Sequence, residues 1–210
     1  MCGRFRLATP AEVLAQLLGL EEVPDVSPRH NIGPTQPVGI VRMHAQAPGR
    51  EWASVRWGLI PHWSKQPREG PPLFNARAET VATKPAFRDA FRRRRCLIPA
   101  DGFYEWKPAG NGTKKRPFLI SMADGGPFAF AGLWDRWERG QDAAIDSCTI
   151  ITTEPNDVVR ELHNRMPVIL AADDYARWLD PEQPREALQG LLVPFVGELA
   201  AVPAGPLPGA

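Results

Sequence analysis

The sequence predicts an α+β fold, a single β-rich domain with short peripheral helices. Three observations carry that expectation. Strand-like runs outnumber helical ones and follow no regular βαβ alternation, which excludes a doubly wound parallel sheet. Proline (23 residues) and glycine (18 residues) together make about a fifth of the chain, which breaks long helices and suits short strands joined by turns. The 210 residues suit one domain, long enough to bury a core without disulfide staples.

Taken in order, residues 3–7 read as a short strand. Thr9 as N-cap, Pro10 at the first helical position and Glu12 three residues after the cap predict a helix start. Leu14, Leu17 and Leu18 give that helix an apolar face and Gly19 ends it. Residues 21–36 are proline-rich and read as irregular loop. Residues 37–44 and 51–57 are strand-like and join at the Pro48-Gly49 turn. Residues 57–63 are too broken for a helix, and 65–72 read as a polar, proline-rich loop. Order resumes over 74–79, and 84–94 predicts a helix with Phe87 and Phe91 at i,i+4. Residues 96–99 and 102–107 read as strands, the second turning through Asn111-Gly112 into 116–122 as a hairpin. Residues 128–137 and 144–153 form another strand pair. Pro155-Asn156 opens a helix running to Leu162, residues 167–170 form a short apolar strand, and 173–179 and 184–192 are short helices. The domain is expected to span residues 1–202, with the Pro/Gly/Ala-rich residues 203–210 as a disordered tail.

Charge is balanced at +1, so any site for a polyanion must be a local patch. Three cysteines with no CxxC pair give neither a disulfide framework nor a metal knuckle, and point to a reducing compartment. No apolar run reaches the ~18 residues of a membrane span, and no leader is expected before Cys2. A soluble, cytoplasmic monomer is expected. No two histidines have ligand spacing, so no metal and no cofactor is expected.

Six features invite chemistry. Cys2 becomes N-terminal if Met1 is removed, and then carries an amine of pKa about 8 beside a thiol of about 8.5. Such a pair condenses with an aldehyde to an imine and closes a five-membered thiazolidine. Cys2 equally suits a small hydrophobe that packs. Glu105, in an aromatic strand with Phe103 on its own face, is either a desolvated general acid–base or an edge carboxylate meeting a lysine. His163 follows a helix, where it can act in a site or only complement the helix dipole. Asn75 and Arg77 share one side of an extended segment, an amide and a guanidinium suited to an oxyanion or phosphate, or a turn Asn beside a surface Arg. Residues 84–95 hold six basic residues against one acid, a nucleic-acid patch or a solvated helix face. Trp57, Trp63 and Trp106 can stack on bases or fill the core.

Together these segments resemble one family. Met1-Cys2-Gly3-Arg4-Phe5, Asn31-Ile32-Gly33-Pro34-Thr35, Trp57-Gly58-Leu59-Ile60-Pro61, Asn75-Ala76-Arg77-Ala78-Glu79, Arg95-Cys96-Leu97-Ile98-Pro99 with Gly102-Phe103-Tyr104-Glu105-Trp106, and His163-Asn164-Arg165-Met166-Pro167 occur in the order of the SOS response-associated peptidase (SRAP) domain. The likeness runs from residue 2 to about residue 195, and departs at Gly33, where alanine is more usual and little effect is expected.

The resemblance implies a protein that senses abasic sites in single-stranded DNA and shields them by a covalent thiazolidine link through Cys2. It implies Cys2 as nucleophile with Asn75, Glu105 and His163 as the other active-site residues. By the same likeness Arg4, Arg77 and Arg165 contact the DNA backbone, Trp106 lies at the lesion and Trp63 packs beside a displaced base. It also implies autocatalytic removal of Met1, an autopeptidase and lyase-like chemistry. A cysteine peptidase acting in trans and a non-covalent single-strand binder are the competing readings. The first lacks a peptide-specificity feature, and a net charge of only +1 disfavours the second.

Overall fold

The computed structural model describes residues 2–44, 47–67, 70–108, 115–139 and 143–207. Two sheets, mostly antiparallel, make the domain. The first has five strands: β1 (Phe5–Leu7), β2 (Arg29–Ile32), β7 (Gly102–Pro108), β8 (Lys115–Met122) and β13 (Leu199–Pro203), in the order β13-β8-β7-β1-β2. The second runs β11 (Met166–Pro167), β10 (Ile145–Thr153), β4 (Arg50–Trp57), β3 (Pro37–Met43), β6 (Arg95–Ala100), β9 (Phe128–Trp137), β12 (Ile169–Leu170). β5 (Asn75–Arg77) adds to it alongside β10. β9 also pairs with β10, so β10-β4-β3-β6-β9 closes into a barrel-like core. The β-rich single domain with short helices is therefore found; the closure is a long-range feature that no local pattern announces.

Aromatic rings join the two sheets. Phe5 of β1 meets Trp57 of β4 at 5.2 Å and Phe130 of β9 at 5.9 Å, both edge-on, and Phe103 of β7 meets Phe130 at 6.1 Å. Edge-to-face packing of this kind adds about 0.5–1.5 kcal/mol per pair beyond area burial. Trp57 is thus core, its indole N–H donating to the Phe74 carbonyl at 2.8 Å, and is not available to stack on a base.

The helices are short and peripheral. α1 (Ala11–Leu18) buries Leu14, Ala15 and Leu18, and Gly19 ends it in the left-handed region at φ 63. Arg50 Nη1 donates to the Leu18 carbonyl at 2.6 Å, satisfying one acceptor that the helix end leaves open. Thr9 does not cap α1: its hydroxyl donates to Asp101 Oδ1 at 2.7 Å, and Pro10 holds the N-cap position. The helix expected over 84–94 narrows to α2 (Arg88–Arg93), preceded by turns. α3 (Asp157–Arg160) is capped as expected, Asn156 Oδ1 accepting from the Val159 N–H at 3.1 Å. α4 (Tyr175–Leu179), entered through the 3-10 turn Ala172–Asp174, and α5 (Arg185–Gln189) complete the set. No helix among the described residues is long and apolar enough to cross a membrane.

Four expectations need correction. Residues 29–32 are strand β2 rather than loop. The strand over 167–170 splits into β11 on β10 and β12 on β9. The boundary at 202 falls inside β13, whose Pro203 pairs with Phe118, and the Ala204 N–H donates to the Pro117 carbonyl at 2.9 Å. The basic run is not one solvated face, because Arg95 is 4% exposed. His62, to which the sequence assigned no role, lies with its Nδ1 3.0 Å from Oδ2 of the buried Asp135. The Asn111-Gly112 turn lies outside the described residues.

Gly132 sits where β9 is paired on both sides, opposite Cys96 of β6 and Ile150 of β10. A Cβ there would lie 2.7 Å from Ile98 Cδ1 and 2.8 Å from Cys96 Sγ. Gly132→Ala is expected to overpack the barrel and cost about 1–3 kcal/mol, read as a lower denaturant midpoint at unchanged m-value. An unchanged midpoint would show that β6 yields freely there.

Candidate active site around Cys2

Cys2 leads into β1 and is wholly buried. The Arg4 carbonyl returns to β7 by accepting the Tyr104 N–H at 2.9 Å, which seats the N-terminal segment against the strand carrying Glu105. Asn75, first residue of β5, donates Nδ2–H to the Cys2 carbonyl at 2.9 Å. Its Oδ1 is buried with no donor among the described residues. Asn75 thus holds the backbone of residue 2 through its carbonyl and not through the thiol.

Electrostatics separates the ionisable groups. Burial drives the Cys2 thiol far up from its ordinary value, and the charge of Glu105 raises it further, so the resting state is a thiol. Glu105 is 3% exposed, and burial pushes its carboxyl up to about 7, with Lys115 of β8 pulling the other way. A carboxyl poised there both donates and accepts near neutrality. His163 is half-buried, and burial lowers its pKa, Lys115 and Arg165 acting in the same sense. Its Nδ1 accepts the Arg165 backbone N–H at 3.0 Å, which places the proton of the neutral ring on Nε2. Lys115, absent from the sequence expectations, acts on both Glu105 and His163 and links them in one field.

The three arginines differ. Arg4 Nη1 donates to Asn31 Oδ1 at 3.2 Å, and its guanidinium lies over Gly33. A Cβ at Gly33 would come within 2.7 Å of Arg4 Nη1, so the departure at that position shapes where Arg4 rests. Arg77 ends β5 and is exposed. Arg165 is engaged internally, with Nη1 and Nη2 on the two Glu79 oxygens. Trp106 is half-buried on β7. Trp63 is 48% exposed on a separate turn, against Pro85 and Arg139, and none of these contacts reaches Cys2. Sequence reasoning gave no role to Asn31, Glu79 or Thr152, although Asn31 and Glu79 both lie within quoted motifs. An open groove of about 630 Å³ borders His163, lined in part by Glu154, Arg160 and Glu161. Among the described residues no group of three His, Cys, Asp or Glu side chains is placed to hold a metal.

Linkage makes Glu105 testable. Its pKa is raised on folding, so the folded state binds more protons than the unfolded one between the ordinary carboxylate value and about 7. Stability contributed at this position therefore falls as pH rises through that window. Glu105→Gln is expected to match the native protein near pH 4 and to exceed it by on the order of 1–3 kcal/mol at pH 8. Equal unfolding free energies at both pH values would remove the desolvation argument.

Comparisons with known proteins place these features in a family. The model described as SOS response associated peptidase (SRAP) matches residues 1–206. The abasic site processing protein YoaM of Bacillus subtilis is 40% identical over 199 residues, covering 93% of this chain and 86% of that protein. The abasic site processing protein YedK of Escherichia coli is 32% identical over 189 residues, covering 87% and 81%. A crystal structure of a protein from Bacteroides thetaiotaomicron superposes with a TM-score of 0.84 at 25% identity, covering 96% of this chain and 91% of that one.

Proposed function

The chain belongs to the SOS response associated peptidase family, and we propose that it recognises abasic sites in single-stranded DNA and links to them covalently through Cys2. The observation that carries this reading is a wholly buried cysteine at position 2, its carbonyl held by Asn75 beside the buried Glu105.

Removal of Met1, in cis, exposes the Cys2 amine. The amine attacks C1′ of the ring-opened sugar aldehyde, a C–N bond forms and one water leaves. The sulfur then adds to the imine carbon, its proton ends on nitrogen, and a thiazolidine closes. Glu105 suits both proton transfers: protonated, it donates to the sugar oxygen as the ring opens; ionised, it takes the thiol proton as sulfur adds. That second step answers the high thiol pKa, since burial leaves little free thiolate. Asn75 Oδ1, buried without a donor among the described residues, suits an N–H of the amine, a positioning effect. His163, neutral with its proton on Nε2, suits a hydrogen bond to the departing sugar oxygen or a neighbouring phosphate. Arg4 and Arg77 suit backbone phosphates, Trp106 the lesion, and Trp63 a neighbouring base.

The deciding measurement is a denaturing gel with an abasic single strand. Cys2→Ser and Cys2→Ala keep the amine and should give an imine trapped by borohydride, with no durable link. One residue added before Cys2 keeps the thiol, displaces the amine and should abolish the link. A durable link in Cys2→Ala overturns the thiazolidine. Peptide cleavage in trans, or affinity with no link in the native protein, would favour the peptidase or the non-covalent binder.

Arg77→Ala should weaken binding of undamaged single strands and lower the salt slope by about one unit. An unchanged slope removes Arg77 from the phosphate contacts.

A further inference from the structure

Arg165 is tied on four sides. Nη1 donates to Glu79 Oε1 at 2.5 Å and Nη2 to Glu79 Oε2 at 3.0 Å, a two-point guanidinium–carboxylate pair. Nη2 also donates to the Thr152 carbonyl at 2.6 Å, and its side chain is only 15% exposed. The backbone N–H of Arg165 donates to His163 Nδ1. Thr152 is 1% exposed; its carbonyl also accepts the Ala78 N–H at 2.9 Å, and its hydroxyl donates to the Ala76 carbonyl at 3.3 Å. One guanidinium therefore fastens the 163–165 loop to β10 and to the end of the segment that starts with Asn75.

Glu79 is the only carboxylate in this arrangement among the described residues, and Arg165 holds it below the ordinary carboxylate range. The carboxylate makes the same two-point contact that a phosphate would make. A phosphate on Arg165 would have to displace it, so the pair serves first to hold the loop.

We propose that Glu79 is a positioning residue, which locks Arg165 onto Thr152 and so keeps the Arg165 N–H on His163 Nδ1 and the His163 proton on Nε2. The inference rests on the functional reading above only for what His163 then does. Without the carboxylate the guanidinium swings free, the loop loosens, and His163 samples both neutral tautomers.

The test uses the full chain with Glu79→Gln and Glu79→Asp, and three readouts. Histidine ring ¹⁵N shifts report the His163 tautomer in the free protein. Initial rates of link formation on an abasic single strand report the reaction. Affinity and salt slope on an undamaged strand of equal length report binding. Glu79→Gln should mix the tautomers and slow the link roughly tenfold to a hundredfold at unchanged salt slope; Glu79→Asp should recover part of both. A His163 that keeps its proton on Nε2 in Glu79→Gln overturns the proposal. So does a rise in affinity with unchanged rate, which would make Glu79 a competitor for phosphate. Should Glu79→Gln fail to fold, Glu79→Asp decides alone, a single tautomer with an unchanged rate overturning the proposal. A native protein that forms no link would sink the functional reading, while the tautomer would still decide the role of Glu79.

Discussion

The site depends on the backbone ladder of β10. That strand pairs with β4, β5, β9 and β11, so it is the common ruler for segments far apart in sequence. Ile150 stands beside Asn75, Thr152 beside Arg77 and Thr153 beside Met166. Asn75 and the loop carrying His163 are therefore placed against one rigid reference, and each is reached through hydrogen bonds rather than through loop conformation. β9 holds β10 from the other side over six residue pairs and closes the core behind the site.

Against that frame the first sheet brings the N-terminal segment. Phe5 is pinned between Trp57 and Phe130, and three residues earlier Cys2 is carried into the interior beside Glu105. Burial then does opposite things to opposite charges: it raises the pKa of the thiol and the carboxyl and lowers that of His163. Positive charge stands outside these groups: Lys115 of β8 lowers the pKa of both Glu105 and His163, and Arg77 at the end of β5 is exposed.

Much of this was legible in the sequence, and the failures share a cause. Alternation marked the central strands, and Gly19 and Asn156 marked helix ends, because those signals are local. The two strands missed, β2 and β13, are the two edges of the five-stranded sheet. Edge strands tolerate proline, since one side of their ladder has no partner to lose; Pro28, Pro34 and Pro203 therefore disguised them as loop. Thr9 and Arg95 were misread for a related reason. Each had a plausible local role, as cap or as solvated cation, and each was taken by partners elsewhere in the chain. Motif order singled out Cys2, Asn75, Glu105 and His163 as candidates, but could not show that Arg165 is spoken for by Glu79, because a motif names residues and not the directions of their donors.

Arg95 has a further consequence. Its guanidinium is satisfied by carbonyls alone: Phe91 and Arg92 at the end of α2, Trp178 and Asp180 at the end of α4. The cation fills the open acceptors of two helices at once, and its ring neighbour Trp178 is tied back to the Cys96 carbonyl of β6. Neither helix can fray without stranding a desolvated charge, so the two share a single opening event. Amide protons in α2 and α4 are therefore expected to exchange as one unit.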